Sequence, residues 1–340
     1  HEERYLELAR FFIDKRGSQA KLPEGDNYHR GTNIQDHLPV REQFTAEGHS
    51  VRACYLYSAM ADLALRDNDV SLKFAAEKIF DNITNAKMYI TGAVGSTHIA
   101  EAFEEEYRLP NDTAYAETCA ALALALFARR MEKLEVDSRF ADTVERVIYN
   151  GFLSGLSLDG KSFFYENAQE IDLEERRIVK EALRDTSYIH YPIPQRLEVF
   201  NCSCCPPNVT RFIASIGDFI YNYDDETIYV NQYMDSTAKL GGLTLVQKTD
   251  YPYDGRIEFT LTGGNRRIAL RIPGWCRVWS VGKNGASCDA VVERGYAYID
   301  ANDGDTILLE LRISARRVKS NPRVLTNRGM SAITWGPFVM

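Results

Sequence analysis

The chain of 340 residues is long enough for two domains, and its composition excludes several classes of partner. Apolar residues make up 45% and charged residues 26% of the sequence, which is ordinary for a globular protein. The net charge of −8 argues against nucleic acid or an anionic membrane as a partner, because both favour a basic surface. No apolar run approaches the ~20 residues of a transmembrane helix.

The amino-terminal stretch, HEERYLELARFFIDKRG, is charged and amphipathic, so it does not read as a signal peptide. It lacks an initiator Met and resembles a helix already under way, and we therefore expect a chain truncated at its amino-terminal end. The seven cysteines include the adjacent pair Cys204 and Cys205, whose Cα atoms lie only about 3.8 Å apart, too close for an easy mutual disulfide. A chain of this length does not need disulfides, so we expect reduced thiols and a cytoplasmic location.

The apolar residues of the first two-thirds recur at helical spacing. The predicted helical segments are 1–16, 46–66, 70–88, 111–134, 139–160 and 204–226. The segment 111–134 is apolar nearly all round in its middle, which is typical of a buried helix. A loop rich in Gly, Pro and Asn separates the first two segments.

Around residue 226 the period of the pattern changes from 3.6 to 2. Short alternating segments follow at 227–234, 236–240, 243–249, 256–263, 266–273, 296–301 and 305–312. The last ten residues are also strand-like, so the β part could be cut short as well. The pattern predicts a multidomain protein, with helical hairpins of an α-toroid over residues 1–225 and an antiparallel β-sandwich over residues 226–340.

A cluster of thiols in NCSCCPPN, residues 201–208, predicts a metal site. Thiolates are strong zinc ligands, and a second cluster in YAETCAA offers Glu117 and Cys119. A spacing of i, i+2 places two side chains ~200° apart on a helix but on one side of an extended segment. We therefore place Glu117 and Cys119 at the entry to a helix, where they join Cys204 and Cys205 in a tetrahedral set for Zn²⁺.

Three interpretations of this cluster remain open. Four-ligand sites with several cysteines are usually structural, which favours a closed zinc that holds two loops together. Without metal, the thiols are ordinary buried residues. The third interpretation is chemistry at sulfur, because a thiolate held beside a substrate is a potent nucleophile.

Chemistry at sulfur also needs a proton donor. Residues 98–107, HIAEAFEEEY, contain four glutamates, of which Glu101 lies among small and apolar neighbours. Burial would raise its pKa to a value useful for a general acid. The alternative is an ordinary residue at a helix start, and the charge run Glu104–Glu106 is expected to be solvated.

Four stretches closely resemble the bacterial and fungal β-L-arabinofuranosidase family of glycoside hydrolases. They are GHSVRA, STHIAEAFEEEYRLPNDTAYAETCAA, FFYEN and CSCCPPNVTRFIAS. The resemblance implies an (α/α)₆ barrel followed by β-sandwich domains. It also implies a retaining glycosidase that uses a zinc-bound cysteine in place of the usual second carboxylate. A barrel of this kind needs about twelve helices, and only about half that number is predicted here, so we expect an incomplete barrel.

The resemblance assigns a role to each matching residue. It implies that Cys204 is the nucleophile, that Glu101 is the general acid/base, that the zinc ligands are Glu117, Cys119, Cys204 and Cys205, and that His49 and Tyr165 contact the sugar. Without the resemblance, His49 reads as a buried helix residue and Tyr165 as an aromatic core residue. Cys202 has no ligand role in this scheme, and His37 is left open between the pocket and the loop.

The expected partner is an arabinofuranoside-like carbohydrate, although the sequence does not choose the sugar or its linkage. A homodimer is a further expectation. The main alternative is a non-catalytic carbohydrate-binding or scaffold protein with a structural zinc. A thiol redox protein is a further alternative, and it would require Cys204 and Cys205 to change oxidation state reversibly.

Overall fold

A computed structural model describes residues 3–17, 31–183 and 189–340. The chain divides by contact into two units. The first contains His1–Leu134, Arg146–Thr210 and Lys319–Ser331, and the second contains Glu135–Glu145, Arg211–Val318 and Ala332–Met340. Each unit is therefore built from three separate stretches of the chain. The sequence predicts a single boundary at residue 225, and that boundary stays a prediction.

The helical character of the amino-terminal part is confirmed. The α-helices are α1 (Glu3–Lys15), α2 (Ser50–Asp67), α3 (Val70–Asn82), α4 (Thr118–Leu134), α5 (Ser138–Arg146), α6 (Leu173–Ala182) and α7 (Cys205–Ala214). The sequence did not predict α6, because its residues LEERRIVKEA are mostly charged and only Arg176 is buried. Among the described residues, no helix combines the length and the apolar character needed to cross a membrane.

The core of the first unit lies between α2, α3 and α4. The rings of Tyr57 on α2 and Phe80 on α3 lie 5.7 and 5.6 Å from the ring of Phe127 on α4. Nearly every residue in the first three turns of α4 is buried, as its all-round apolar sequence predicts. This burial fixes the amino-terminal end of α4, where two of the predicted site residues lie.

The second unit contains two larger β-sheets and one small sheet. The strands of the chain are β1 (Gly48–His49), β2 (Ala102–Phe103), β3 (Tyr221–Tyr223), β4 (Thr227–Val230), β5 (Ser236–Leu240), β6 (Leu243–Thr249), β7 (Arg256–Thr262), β8 (Arg266–Arg271), β9 (Trp279–Lys283), β10 (Ala286–Ser287), β11 (Val291–Glu293), β12 (Tyr296–Ala301), β13 (Thr306–Leu311), β14 (Ala315–Val318), β15 (Ala332–Trp335) and β16 (Phe338–Val339). One sheet has the order β10-β9-β13-β7-β6-β5, the next β11-β12-β8-β4-β3, and the small sheet β14-β15-β16. The pairing is antiparallel as predicted, except that β4 runs parallel to β8.

The six-stranded sheet buries one face. Along β7 the residues Ile257, Phe259 and Leu261 are buried and alternate with more exposed neighbours, which is the period expected of a half-buried strand. Between the sheets, the Gln247 amide on β6 donates a 2.9 Å hydrogen bond to the Tyr221 hydroxyl on β3. The predicted β-sandwich is therefore present in this unit.

A short two-stranded pairing positions part of the site in the first unit. Strand β1 pairs with β2 so that His49 lies opposite Ala102 and Gly48 lies opposite Phe103. Gly48 has φ of 71°, and a Cβ there would come within 2.0 Å of the Thr32 carbonyl oxygen, so only glycine fits. The pairing sets His49 beside Glu101, which directly precedes β2.

A buried ionic network anchors the second unit. The Arg271 side chain is fully buried and pairs with Asp142 at 2.6 Å and with Glu145 at 2.5 Å. Tyr251 and Trp275 also donate hydrogen bonds to the Glu145 carboxylate. A buried charge is tolerated only when it is paired and hydrogen-bonded, so the network depends on all its members.

We expect Arg271→Met to lower the free energy of unfolding by about 3–5 kcal/mol, because it leaves two carboxylates without their buried cation. The matched control is Arg267→Met on the same strand, whose ion pair with Asp300 is exposed to solvent and should contribute little to stability. Chemical denaturation measures both. Equal small losses for the two variants would contradict a stabilising role for the network.

Candidate active site

Four side chains from two separate segments meet in the first unit. They are Glu117, Cys119, Cys204 and Cys205, whose potential ligand atoms all lie within 4.8 Å of one another. The Cys119 and Cys205 Sγ atoms are 3.4 Å apart, and Cys204 Sγ lies 3.3 Å from Glu117 Oε1. The structure thus brings together the four residues that the sequence predicts as metal ligands, in a group that could hold a metal ion.

The local structure at Glu117 agrees with the position predicted for it. Glu117 is extended and bridges to Glu166, and α4 begins at the next residue, Thr118. The Thr118 N–H and hydroxyl bond to the carbonyls of Tyr165 and Phe164 at 3.0 and 2.7 Å. The predicted entry of Glu117 into a helix is confirmed, with Cys119 in the first turn.

The second segment supplies its thiols at the start of α7. Cys205 is the first residue of this helix, and two prolines follow it in the first turn, where a missing N–H costs no helical hydrogen bond. Asn208, one turn further on, hydrogen-bonds to Cys119 and accepts a 3.1 Å bond from the Tyr55 hydroxyl. The motif CCPPN therefore contributes the thiols of Cys204 and Cys205 and the side-chain amide of Asn208, which hydrogen-bonds to the thiol of Cys119.

The electrostatics of the cluster are those of acids crowded together out of water. Burial raises the pKa of Glu117 to about 9, and the nearby charges of Cys204 and Glu101 add to the effect. In contrast, hydrogen bonds from the thiols of Cys119 and Cys205 lower the pKa of Cys204, and the Tyr165 hydroxyl acts in the same direction. Cys204 is also the most exposed of the four. It is therefore the thiol best suited to carry negative charge.

One carboxylate oxygen of the cluster is buried without a hydrogen-bond partner in the described part of the chain. Glu117 is only 2% exposed, and its buried Oε2 has no hydrogen-bond partner among the described residues. A buried carboxylate oxygen without a partner is costly, and a cation is the partner that would also offset the charge of three neighbouring thiols. The unpartnered oxygen is therefore consistent with a group that could hold a metal ion.

Glu101 lies beside His49 instead of in an apolar pocket. Its Oε2 is 2.9 Å from His49 Nε2, and the Tyr115 hydroxyl is a second hydrogen-bond partner. The bond to His49 lowers the pKa of Glu101, outweighing the opposing effect of burial. The expected net rise in this pKa is therefore wrong: burial acts in the predicted direction, but the bond to His49, which no local sequence pattern indicates, outweighs it. Glu101 lies in a short turn before β2 and does not start an α-helix.

The backbone at Glu101 is unusual. Ala100 and Glu101 have φ of 54° and 56°, in the left-handed region that few residues other than glycine adopt. The Glu101 carbonyl accepts a 3.0 Å hydrogen bond from the Ser50 hydroxyl. Gly95 packs against Ser50, and a Cβ there would lie 2.6 Å from the Ser50 hydroxyl oxygen.

Two tyrosines link Glu101 to the thiol cluster. Tyr115 bonds to Glu101 and to the Tyr165 hydroxyl, and the two rings make an edge contact at 6.3 Å. The Tyr165 hydroxyl lies 3.3 Å from Cys204 Sγ. Glu101 and Cys204 therefore lie along one continuous chain of contacts and interact electrostatically.

Sequence reasoning missed two contributors. Tyr115 lies in the quoted stretch AYAETC, and its i, i+2 spacing from Glu117 was the signal that could have found it. His190 lies far along the chain without a motif. It hydrogen-bonds to the Glu166 carboxylate at 2.8 Å and stacks on His98 at 4.7 Å between ring centroids.

The other cysteines and His37 lie outside the four-residue group. Cys202 is exposed, Cys54 and Cys276 are buried, and Cys288 is half-buried. His37 is half-buried, and its Nδ1 has no partner among the described residues. No disulfide joins any of the seven cysteines, all of which lie in the described ranges.

We expect His49→Gln to raise the pKa of Glu101, because it removes the largest cause of the depression. Carbon-13 NMR titration of the glutamate carboxyl signals measures this, with Glu101→Gln used for assignment. The control His190→Gln alters a histidine that bonds to Glu166 and should leave the Glu101 titration in place. A Glu101 pKa unchanged in His49→Gln would contradict the pairing.

Comparison with known proteins matches nearly the whole chain. Residues 1–218 match the family described as β-L-arabinofuranosidase, GH127 catalytic domain, and residues 227–313 match the family described as the GH127 middle domain. A non-reducing end β-L-arabinofuranosidase of Bifidobacterium longum subsp. longum is 38% identical over 363 aligned residues, which cover 99% of this chain and 54% of that protein.

Solved structures agree with this match. A crystal structure of a GH127 β-L-arabinofuranosidase from Geobacillus stearothermophilus T6 has a TM-score of 0.91 and 41% identity, covering 99% of this chain and 55% of that one. A second structure, described as a GH127 β-arabinofuranosidase, has a TM-score of 0.87 and 36% identity, covering 99% and 53%. The chain spans about half the length of these relatives. The resemblance carried by the motifs is confirmed, and the chain belongs to the GH127 β-L-arabinofuranosidase family of glycoside hydrolases.

Proposed function

We propose that this chain carries the catalytic centre of a retaining β-L-arabinofuranosidase that acts at the non-reducing end of its substrate. The observation that carries the proposal is the buried group of Glu117, Cys119, Cys204 and Cys205, connected through two tyrosines to Glu101. The activity for which the Bifidobacterium relative is named supports the choice of sugar.

The donor set supports Zn²⁺ as the metal. Ligand atoms ~2.0–2.3 Å from a tetrahedral zinc lie roughly 3.3–3.8 Å from one another. Four of the six separations within the cluster are 3.3–3.9 Å, and all six are within 4.8 Å. Zinc bound by these four side chains supplies a positive charge that keeps their thiols ionised at neutral pH.

Cys204 is the nucleophile in this proposal. It is the most exposed of the four, and its hydrogen bonds with the other thiols favour its ionised form. Tyr165, whose hydroxyl contacts the sulfur at 3.3 Å, holds Cys204 in place and lies where a sugar on the sulfur would meet it. His49 is the second sugar contact in this proposal, as the family resemblance implies, and its Nε2 lies 2.9 Å from the Glu101 carboxylate.

Glu101 is the general acid/base. In the first step the Cys204 thiolate attacks the anomeric carbon, the bond to the leaving oxygen breaks, and the proton of Glu101 goes to that oxygen. In the second step Glu101 takes a proton from water, the water oxygen bonds to the anomeric carbon, and the carbon–sulfur bond returns its electrons to Cys204. Two inversions at one carbon leave the configuration retained.

The charge on Cys204 helps Glu101 to change roles. The bond to His49 lowers the pKa of Glu101, and negative charge on Cys204 partly opposes this, so Glu101 holds its proton more firmly before attack than after it. Bonding of the sulfur to carbon removes that charge, so the opposing effect of His49 then favours the carboxylate that the second step needs. The low pKa caused by His49 thus suits the base role of Glu101.

We expect Cys204→Ser to lower kcat on a β-L-arabinofuranoside by at least about 10³-fold while the protein stays folded, because a hydroxyl is a far weaker nucleophile than a thiolate. Cys288→Ser, at a half-buried cysteine outside the cluster, is the matched control. Glu117→Gln should lose both zinc, measured by elemental analysis, and activity. A Cys204→Ser enzyme that keeps most of its turnover would overturn the nucleophile assignment.

Glu101→Gln tests the acid role separately from folding. We expect kcat/KM on a methyl glycoside to fall by about 10²–10⁴-fold, because the leaving oxygen no longer receives a proton. A dinitrophenyl glycoside, whose leaving group needs no proton, should show a much smaller loss in its first step, followed as a burst of dinitrophenol. Equal losses on both substrates would favour a structural role for Glu101.

The alternative is a non-catalytic carbohydrate-binding protein with a structural zinc. A closed set of four ligands is typical of structural sites, which is the observation in its favour. It predicts that Glu101→Gln leaves sugar binding intact and that neither the methyl nor the dinitrophenyl glycoside is cleaved. The stereochemistry of the released sugar, followed by proton NMR, then decides whether any cleavage proceeds with retention.

A further inference from the structure

A short chain of hydrogen bonds reaches the thiol cluster from outside the four-residue group. The Tyr55 hydroxyl on α2 donates a 3.1 Å hydrogen bond to Asn208 Oδ1 on α7. The Asn208 side chain in turn hydrogen-bonds to Cys119 in the first turn of α4. Three helices of the first unit therefore meet at one amide, and neither Tyr55 nor Asn208 is a candidate metal ligand.

Asn208 lies one helical turn after Cys204. Its backbone N–H donates a 3.4 Å hydrogen bond to the Cys204 carbonyl. Residues four positions apart on a helix share one face, so the turn that presents the Cys204 thiol also presents the Asn208 amide. Because that amide bonds to Cys119, Asn208 bridges the two segments that supply the thiols.

Helix α2 turns one face toward the cluster. Val51 packs against the group of buried side chains that includes Cys119, and Tyr55 follows it one turn later on the same face. Tyr57 has a different neighbour, since its hydroxyl accepts a 3.3 Å hydrogen bond from the Glu47 N–H. The two tyrosines of one helix thus have separate roles, which makes Tyr57 a natural control for Tyr55.

The bond from Tyr55 sets the orientation of the Asn208 amide. An asparagine side chain offers one oxygen, which accepts, and one NH₂ group, which donates. The Tyr55 hydroxyl occupies the oxygen, so the NH₂ group is left to face the Cys119 sulfur. A hydrogen bond to an ionised acceptor is about twice as strong as one between neutral groups, so this N–H···S bond favours a thiolate at Cys119.

We propose that Asn208, oriented by Tyr55, is a positioning residue that holds the Cys119 thiolate in the ligand set of the cluster. The inference rests on the proposed function for the metal itself, since the amide acts on a thiol that would bind it. Groups that hydrogen-bond to metal ligands fix the orientation of the ligands and tune their donor strength. Holding Cys119 in this way leaves Cys204 as the thiol that can meet a substrate.

The first test is the affinity for zinc, measured by competition with a chromophoric chelator. We expect Asn208→Leu, which keeps a similar volume but has no donor, to raise the Kd for zinc about 10–100-fold. Tyr55→Phe leaves the amide in place but free to rotate, and its Kd should rise about fivefold. The control Tyr57→Phe alters the same helix away from the cluster and should leave the Kd unchanged.

A double-mutant cycle tests whether Tyr55 acts through the amide. If it does, Tyr55→Phe has no further effect on the Kd for zinc in a chain that already carries Asn208→Leu. An equal effect of Tyr55→Phe with and without the Asn208 amide would overturn the orienting role of Tyr55.

Cobalt(II) in place of zinc separates positioning from a purely structural link between helices. The absorption band for charge transfer from thiolate to cobalt depends on how firmly the sulfur holds its electrons. Loss of the N–H···S bond should move this band to longer wavelength in Asn208→Leu and, to a smaller extent, in Tyr55→Phe. A structural link alone would leave the band of the cobalt-loaded protein in place.

The outcomes separate this inference from the proposed function. A Kd for zinc and a cobalt band that stay the same in Asn208→Leu would overturn the inference, even if the chain cleaves an arabinofuranoside. If no glycoside is cleaved but the Kd still depends on Asn208 and Tyr55, the proposed function fails and the positioning role stands.

Discussion

The site depends on one electrostatic constraint, which is that four acidic side chains are held together away from water. Glu117 and Cys119 enter from the start of α4, and Cys204 and Cys205 enter from the start of α7. Acids in such a group cannot all ionise without a cation, and Glu117 responds with a raised pKa and an unpartnered oxygen. Two segments far apart in the sequence therefore need a shared positive charge to coexist as anions.

The residues around the cluster connect it, on one side only, to the Glu101 carboxylate. The Tyr165 hydroxyl contacts the sulfur of Cys204, which is the most exposed thiol of the cluster. Tyr115 hydrogen-bonds to both Tyr165 and Glu101, and His49 pairs with the Glu101 carboxylate. A closed structural metal has no need for such an arrangement. The asymmetry between three buried ligands and one accessible thiol is what favours chemistry over simple stapling.

The sequence predicted the helices and strands in which apolar and polar residues recur with a clear period. It did not predict short elements whose side chains are exposed. The helices around Phe127 and the central strands show clear apolar periods, whereas β10 and β11 are short edge strands with exposed side chains. The four residues of the thiol cluster were predictable because thiol chemistry and spacing restrict the choices. The charge state of Glu101 was not, because it depends on a histidine brought close by the β1–β2 pairing. His190 has no local signal, since tertiary structure alone brings its ring against His98.

The left-handed backbone at Ala100 and Glu101 has a consequence for engineering. Each residue in this region costs on the order of 1–3 kcal/mol, which the pairing of the neighbouring strands and the Ser50 hydrogen bond must offset. The substitution Ala100→Gly would relieve the backbone strain of the turn and raise the melting temperature. It would also make the Glu101 carboxylate more mobile. A substitution that stabilises this loop would therefore position Glu101 less precisely.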